Sequence, residues 1–240
     1  NIQNLDFKIS HEEKDFFKNF DNLLKVSDVK FNISKGHSIF FKKQNLRSEE
    51  YKINIKKDSI SIDYSDYGGK FYSIITLIQL INFYNTNLPL GLIEDRPALN
   101  WRGMHLDCAR QFYTIDEIKR LMDYMCFFKL NRFHWHLTDN EAWRVELECY
   151  PNLTKVGAFR GYNHVIPPFY GTGYNKTGGY YSRNQINELI VYAKQRNIEI
   201  MPEIDLPAHS WTLLQVMPEL RDSISNIISE DVGNYTNNTI

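Results

Sequence analysis

The chain has 240 residues, 42 % of them hydrophobic, and its 28 basic and 29 acidic side chains leave a net charge of −1. That apolar share is ample for a packed core, and a near-neutral chain without a basic stripe argues against a nucleic-acid partner. The longest apolar run, residues 74–83, is interrupted by Thr76, Gln79 and Asn82 and is too short to span a bilayer. The chain starts at Asn1, with neither a methionine nor a signal-type apolar stretch, which fits a leader already missing. Cys108, Cys126 and Cys149 have neither a disulfide framework nor metal-type spacing, and the first two, in apolar segments, are expected to be buried small hydrophobes.

The first part, residues 1–94, reads as a small α+β domain. Val29–Ile33 is a candidate strand. Tyr51, Ile53 and Ile55 alternate with polar residues, and Ile60, Ile62 and Tyr64 resume the alternation after Lys56-Lys57-Asp58, a hairpin with one buried face. Gly68-Gly69 is expected to break the chain before a helix over Phe71–Tyr84, whose Ile74, Leu77, Ile78 and Ile81 would cover the sheet. Asn85–Pro89 and Asp95-Arg96-Pro97 punctuate a linker.

Residues 95–240 change rhythm to strand and helix in alternation. Thr114-Ile115-Asp116-Glu117 and Ser182-Arg183-Asn184-Gln185 are capping boxes. Each opens an apolar stripe at helical spacing: Ile118, Leu121, Met122 and Met125, then Ile186, Leu189, Ile190 and Ala193. Helices alternating with short strands imply parallel pairing and right-handed crossovers. The Gly-, Tyr- and Pro-rich stretch Ala158–Tyr181 reads as an excursion over a barrel mouth.

Three apolar segments end abruptly in acids and imidazoles: Trp101–Arg110, His134–Asp139 and Pro202–His209. Strands that deliver such groups at their carboxyl ends are how a (β/α)8 TIM barrel builds an active site. Arg110 offers a planar fork for vicinal hydroxyls or a carboxylate. Asp139 and His209 can form an oriented carboxylate–imidazole pair, with Asp205 and Glu203 on the same rim. Singly, each is more often a structural ion pair; three clusters at strand ends together favour an enzyme. His134 and His136 share one face of a strand, a pattern found in metal-dependent amidohydrolases, but no further ligands are evident, so no metal is expected. Trp143, beside Arg144 in a polar stretch, is the tryptophan expected nearest a ligand.

Together these segments resemble family 20 glycoside hydrolases, the β-N-acetylhexosaminidases. The resemblance rests on Arg102-Gly103, Leu106-Asp107 and Arg110, on Lys129-Leu130-Asn131 with His134-Trp135-His136-Leu137-Thr138-Asp139, on Tyr150-Pro151-Asn152-Leu153-Thr154, and on Pro202-Glu203-Ile204-Asp205 with His209. Gly69-Lys70-Phe71-Tyr72 and Thr76-Leu77-Ile78-Gln79-Leu80 resemble the end of the small domain that precedes the barrel there. The likeness implies a retaining exo-glycosidase that removes terminal β-linked N-acetylglucosamine or N-acetylgalactosamine. It implies that Arg110 grips the 3- and 4-hydroxyls of the terminal sugar, that Asp139 and His209 relay towards the general acid, and that Asp205 supports the rim. In that family the substrate's own acetamide attacks the anomeric carbon, an exception to the two-carboxylate scheme. The family's Gly-Asp-Glu acid motif does not occur in these 240 residues, Asn140 stands where an aspartate is usual, and Ala208 replaces a glycine.

Three strands do not close a barrel, so only about the first three βα units are expected here. The remaining strands, and the Asp-Glu pair, would come from the same gene product or a companion chain. The ligand implied is an N-acetylhexosamine-terminated glycan or chito-oligosaccharide; no cofactor is implied, and a homodimer is admissible. A degenerate barrel kept for carbohydrate binding or as a partner subunit is the alternative from another class. Sequons at Asn32, Asn152, Asn175, Asn234 and Asn237 exceed the roughly two expected by chance and suggest a glycosylated, secreted or lysosomal protein. An AT-rich genome would enrich Asn equally well, and a bacterial periplasm is the other compartment considered.

Overall fold

The structure is a computed structural model that describes residues 6–24, 30–32, 36–84, 87–169 and 173–221. The chain forms two compact units. One comprises Asn1–Arg102 with Leu121–Asn131 and Ala193–Ile198; the other comprises Gly103–Arg120, Arg132–Tyr192 and Glu199–Ile240.

The first unit holds a six-stranded sheet in the order β2-β1-β3-β5-β4-β6. Its strands are β1 (Asp6–Lys8), β2 (Lys30–Asn32), β3 (His37–Lys43), β4 (Tyr51–Ile55), β5 (Ser59–Tyr64) and β6 (Gly91–Asp95), with the short helices α1 (Lys14–Lys18) and α2 (Asp21–Leu24). The expected hairpin is present: β4 and β5 pair antiparallel, and Tyr51, Ile53, Ile55, Ile60 and Ile62 are buried. The 29–33 strand spans at least Lys30–Asn32; its two end residues lie outside the described residues.

Gly68-Gly69 does not break the chain. Helix α3 runs over Tyr67–Tyr84 and contains both glycines. Asp66 starts it four residues early, its carboxylate accepting from the Gly69 amide at 2.9 Å. A Cβ on Gly69 would stand 2.6 Å from the Glu50 carbonyl oxygen, so this glycine serves close packing and not a turn. Ile74, Leu77, Ile78 and Ile81 are all buried, as the spacing requires. The presumed linker also contains β6, which pairs antiparallel with β4.

Within this unit Glu49 accepts from Arg102 at 2.6 Å, Asn197 at 2.8 Å and Asn131 at 3.2 Å. Lys129 donates to Asp95 and to the Tyr51 hydroxyl, both at 2.7 Å. Arg102, Lys129 and Asn131, three residues of the motif blocks, therefore do structural work here.

The second unit is built on three parallel strands in the order β12-β8-β7: β7 (Gly103–Asp107), β8 (Arg132–Asp139) and β12 (Glu199–Ile204). β9 (Ala142–Trp143) folds back antiparallel on the end of β8. Between them along the chain come α4 (Ile115–Phe127), which from Leu121 onward belongs to the first unit, α5 (Asn152–Lys155), the paired short strands β10 (Phe159–Arg160) and β11 (Thr177–Gly178), and α6 (Arg183–Lys194), whose last two residues also belong to the first unit. α7 (Trp211–Val216) follows β12. Both capping boxes form. The Thr114 amide donates to Glu117 at 2.7 Å and the Glu117 amide to Thr114 Oγ1 at 3.4 Å, and Ser182 and Gln185 exchange the same bonds at 2.9 and 3.3 Å. α4 buries Ile118, Met122 and Met125; α6 buries Leu189 and Ala193 but leaves Ile190 exposed, so its apolar stripe is narrower than the spacing suggests. No helix among the described residues is long and apolar enough to cross a membrane.

Candidate active site

β7 ends in Asp107, whose Oδ1 accepts from the amides of Ala109 and Arg110 at 2.9 and 3.0 Å. That turn doubles the chain back and returns the Arg110 guanidinium to the strand end. There it meets three carboxylates: Asp107 through Nη1 at 3.0 Å, Asp139 through Nη2 at 2.6 Å and Glu141 through Nε at 2.9 Å. A guanidinium has five N–H donors. Nη1 donates to Asp107 and faces His136 Nε2 at 3.5 Å, Asp139 and Glu141 hold the fork at ion-pair distance, and the side chain is 37 % exposed. The fork is thus held by acids on one side and reaches solvent on the other.

β8 ends in Asp139, 4 % exposed. Burial alone would raise its pKa, but hydrogen bonds from His136 and the Asn140 amide, with the charges of Arg110 and His209, hold it below the usual carboxylate value. Its Oδ1 faces His209 Nδ1 at 3.2 Å, so the pair expected from the sequence does come together. His209 has φ 54°, a left-handed conformation uncommon for a non-glycine residue and costly unless its surroundings enforce it. The next residue of the turn supplies that enforcement. Asn140 accepts from the Trp211 amide at 3.1 Å through Oδ1, and its carbonyl accepts from Thr212 Oγ1 at 2.6 Å.

β12 delivers Glu203 and Asp205. Between Glu203 and Ile204 the register against β8 slips by one, passing over Leu137. Beyond the slip, the Asp205 amide donates to Thr138 Oγ1 at 3.0 Å. Glu203 Oε2 lies 2.6 Å from His134 Nε2 and 2.9 Å from His136 Nδ1. Burial and the neighbouring Glu203 raise the Asp205 pKa despite His136, whereas Glu203 is held low by its bonds to His136. Asp139, Asp205 and His209 present atoms within 4.8 Å of one another, as do His105, His134 and Glu203, and His136, Glu203 and Asp205. Atoms bound to one tetrahedral zinc sit roughly 3.3 Å apart, and the His134–Glu203 contact is shorter, an ion-pair distance.

Trp143 is the correction. It does not lie in a polar loop: it belongs to β9, is 7 % exposed, packs with Leu153 and Leu213, and donates to the Val145 carbonyl at 2.7 Å. Its ring fills the core and has no open face for a sugar. Its neighbour Arg144 is buried too, donating to the carbonyls of Cys108, Ala109 and Gly179 at 2.9 Å and of Ala158 at 2.5 Å. Burial, aided by the charge of Arg160, lowers its pKa to about 10. The excursion after Ala158 reaches the site edge, where Arg160 Nη2 donates to the Arg110 carbonyl at 2.5 Å. Sequence reasoning missed Glu141, His136 as a partner of Asp139, and Arg144. Cys108 and Cys126 are buried as expected, and Cys149 is exposed. Asn152 and Asn175 are exposed, Asn32 lies in β2, and Asn234 and Asn237 lie outside the described residues.

The catalytic-domain model of glycosyl hydrolase family 20 matches residues 99–240, and the model of domain 2 of that family matches residues 9–96. The chain belongs to glycosyl hydrolase family 20. A beta-hexosaminidase of Vibrio furnissii is 40 % identical over 171 residues, which are 70 % of this chain and 28 % of that relative. The N,N'-diacetylchitobiase of Vibrio harveyi is 40 % identical over 172 residues, 68 % of this chain and 20 % of the relative. Among solved structures, the GH20 exo beta-N-acetylglucosaminidase of Vibrio harveyi in complex with N-acetylglucosamine superposes with a TM-score of 0.86 at 31 % identity, covering 100 % of this chain and 39 % of that one. The chain thus spans only 20–28 % of the length of these curated relatives. Its three parallel strands are the opening strands of the family's TIM barrel, and a small domain precedes them in the sequence.

Proposed function

We propose that the protein carrying this chain is a retaining exo-β-N-acetylhexosaminidase, releasing terminal non-reducing N-acetylglucosamine or N-acetylgalactosamine from glycans or chito-oligosaccharides. The observation that carries this reading is the convergence of Arg110, Asp139 and His209 at neighbouring strand ends. The exposed edge of the Arg110 fork suits the 3- and 4-hydroxyls of one sugar ring, and its three acids fix the fork before the sugar arrives, so little ordering is left to binding. His209, turned by Asp139, passes its orientation on to the acid that protonates the leaving oxygen. That acid, and the aspartate that aims the acetamide, are not among these 240 residues. Asp205 supports the rim beside them.

The complete protein assayed on an aryl N-acetylglucosaminide and on the plain aryl glucoside tests the reading. Attack by a positioned acetamide supplies several kcal/mol of barrier reduction, so the glucoside should be a far poorer substrate. Equal rates on both would defeat it.

The domain division, 1–94 and 95–240, and a secreted, lysosomal or periplasmic location belong to the same proposal. Limited proteolysis that cuts near residues 94–97, and a mass change on treating the native protein with an N-glycanase, address them.

A further inference from the structure

His136 is 4 % exposed and places a carboxylate at each ring nitrogen: Asp139 Oδ2 at 3.1 Å from Nε2 and Glu203 Oε2 at 2.9 Å from Nδ1. A neutral imidazole carries one N–H and one lone pair. In that form one of the two contacts would set a buried lone pair against a carboxylate oxygen. Both contacts are attractive only when both nitrogens are protonated: Nε2 then donates to Asp139, and Nδ1 faces Glu203 Oε2 at ion-pair distance, off the line of a hydrogen bond. The acids cannot readily supply the proton instead. Asp139 also pairs with the charge of Arg110 at 2.6 Å and accepts from the Asn140 amide at 2.6 Å, contacts that favour its ionised form. Glu203 faces His134 as well, at 2.6 Å.

We infer that His136 stands as an imidazolium at neutral pH, joining the ends of β8 and β12, and that it is a positioning residue for the Asp139–His209 pair. This rests on the reading of function above. With Oδ2 of Asp139 taken by His136 and Arg110, Oδ1 is the oxygen left to turn His209. The same cation holds Glu203, which contacts Asp205, so one buried charge orders acids at two strand ends. The charged and titratable groups facing His136 are Arg110, Asp107 and His105 from β7 and its loop, Asp139 from β8, and Glu203 and Asp205 from β12. Acids outnumber bases among them. Burial opposes a charge on the ring, but the bonds to Asp139 and Glu203 outweigh it and push its pKa up to about 9.

Nitrogen-15 histidine spectra of the complete protein test the charge directly, with His136 assigned by its loss in His136→Gln. Both of its ring nitrogens should be protonated from pH 6 to pH 8; an unprotonated nitrogen on His136 at pH 7 overturns the inference. In folded His136→Gln, the nitrogen-15 shift of His209 Nδ1, which faces Asp139 Oδ1 at 3.2 Å, should move, and kcat should fall at least tenfold while KM changes less than threefold. His136→Phe, which cannot donate at all, should lose more kcat than His136→Gln. A His209 Nδ1 shift unmoved in the folded Gln variant overturns the positioning role. If the parent protein cleaves neither aryl substrate, the functional reading falls, and the two sets of spectra still decide whether His136 carries the charge and orients the pair.

Discussion

Replacing Arg144 with methionine isolates what one buried cation contributes. Its guanidinium donates to four backbone carbonyls, those of Cys108 and Ala109 after β7 and those of Ala158 and Gly179 in the long excursion. Hydrogen bonds from a charged donor contribute about 1.5 kcal/mol each at the low end, or roughly 6 kcal/mol for the set. Against this stands the penalty of burying the charge. The fall of its pKa to about 10 corresponds to roughly 3 kcal/mol, at about 1.36 kcal/mol per tenfold change. The net loss in Arg144→Met is therefore about 3 kcal/mol, a drop of roughly 6–12 °C in Tm for a cooperative unit of 150–250 residues. Arg144→Lys should lie between, because one ammonium cannot span carbonyls on both segments. Thermal melts of the complete protein, parent and both variants, provide the measurement. A methionine variant melting within about 2 °C of the parent would refute the argument that these carbonyls depend on the cation.

Arg110→Lys keeps the charge and loses the fork; it should cost at least about tenfold in kcat/KM, and a variant that melts much earlier yet cleaves normally when folded would exclude a binding role. Because the folded pKa of His136 is raised, its contribution to stability is full below the unfolded value of 6.5 and disappears as pH rises through about 9. Asp139, lowered, contributes above the unfolded value of 3.8 and loses that contribution as pH falls through its folded pKa. Denaturant midpoints should therefore fall on both sides of a plateau near neutrality, and a flat alkaline side would contradict the His136 assignment. Gly178→Ala should destabilise severely, since φ is 130° and a Cβ would stand 2.1 Å from the Ala158 carbonyl oxygen; unchanged melting would show that this backbone relaxes freely.

The parts legible in the sequence were those governed by neighbours along the chain. Capping boxes and stripes marked α4 and α6, and alternation marked β4 and β5, because each depends on residues a few positions apart. β3 was missed because Ile39, Phe40 and Phe41 run together without alternating, and β6 because an edge strand with an exposed Leu92 carries little pattern. At the site, strand-end acids announced Arg110, Asp139 and His209. Glu141 and Arg144 gave no such signal, since charged neighbours of Trp143 look solvated until β9 folds back on β8 and buries all three. Apart from His136 and Asp139, which share β8, which carboxylate meets which imidazole is a property of register between strands about thirty and seventy residues apart, and local pattern carries no trace of it.

Asn140 sits one residue beyond Asp139 and grips the chain just beyond His209, at Trp211 and Thr212. The two contacts run side by side, like adjacent teeth of a zip, so the carboxylate–imidazole spacing cannot drift unless α7 lets go as well. Evolution inherits that constraint. A change at 140 that removes the side-chain acceptor frees the Trp211 amide, and loss of the hydroxyl at 212 frees the carbonyl of residue 140; either alters the setting of the imidazole without touching Asp139 or His209.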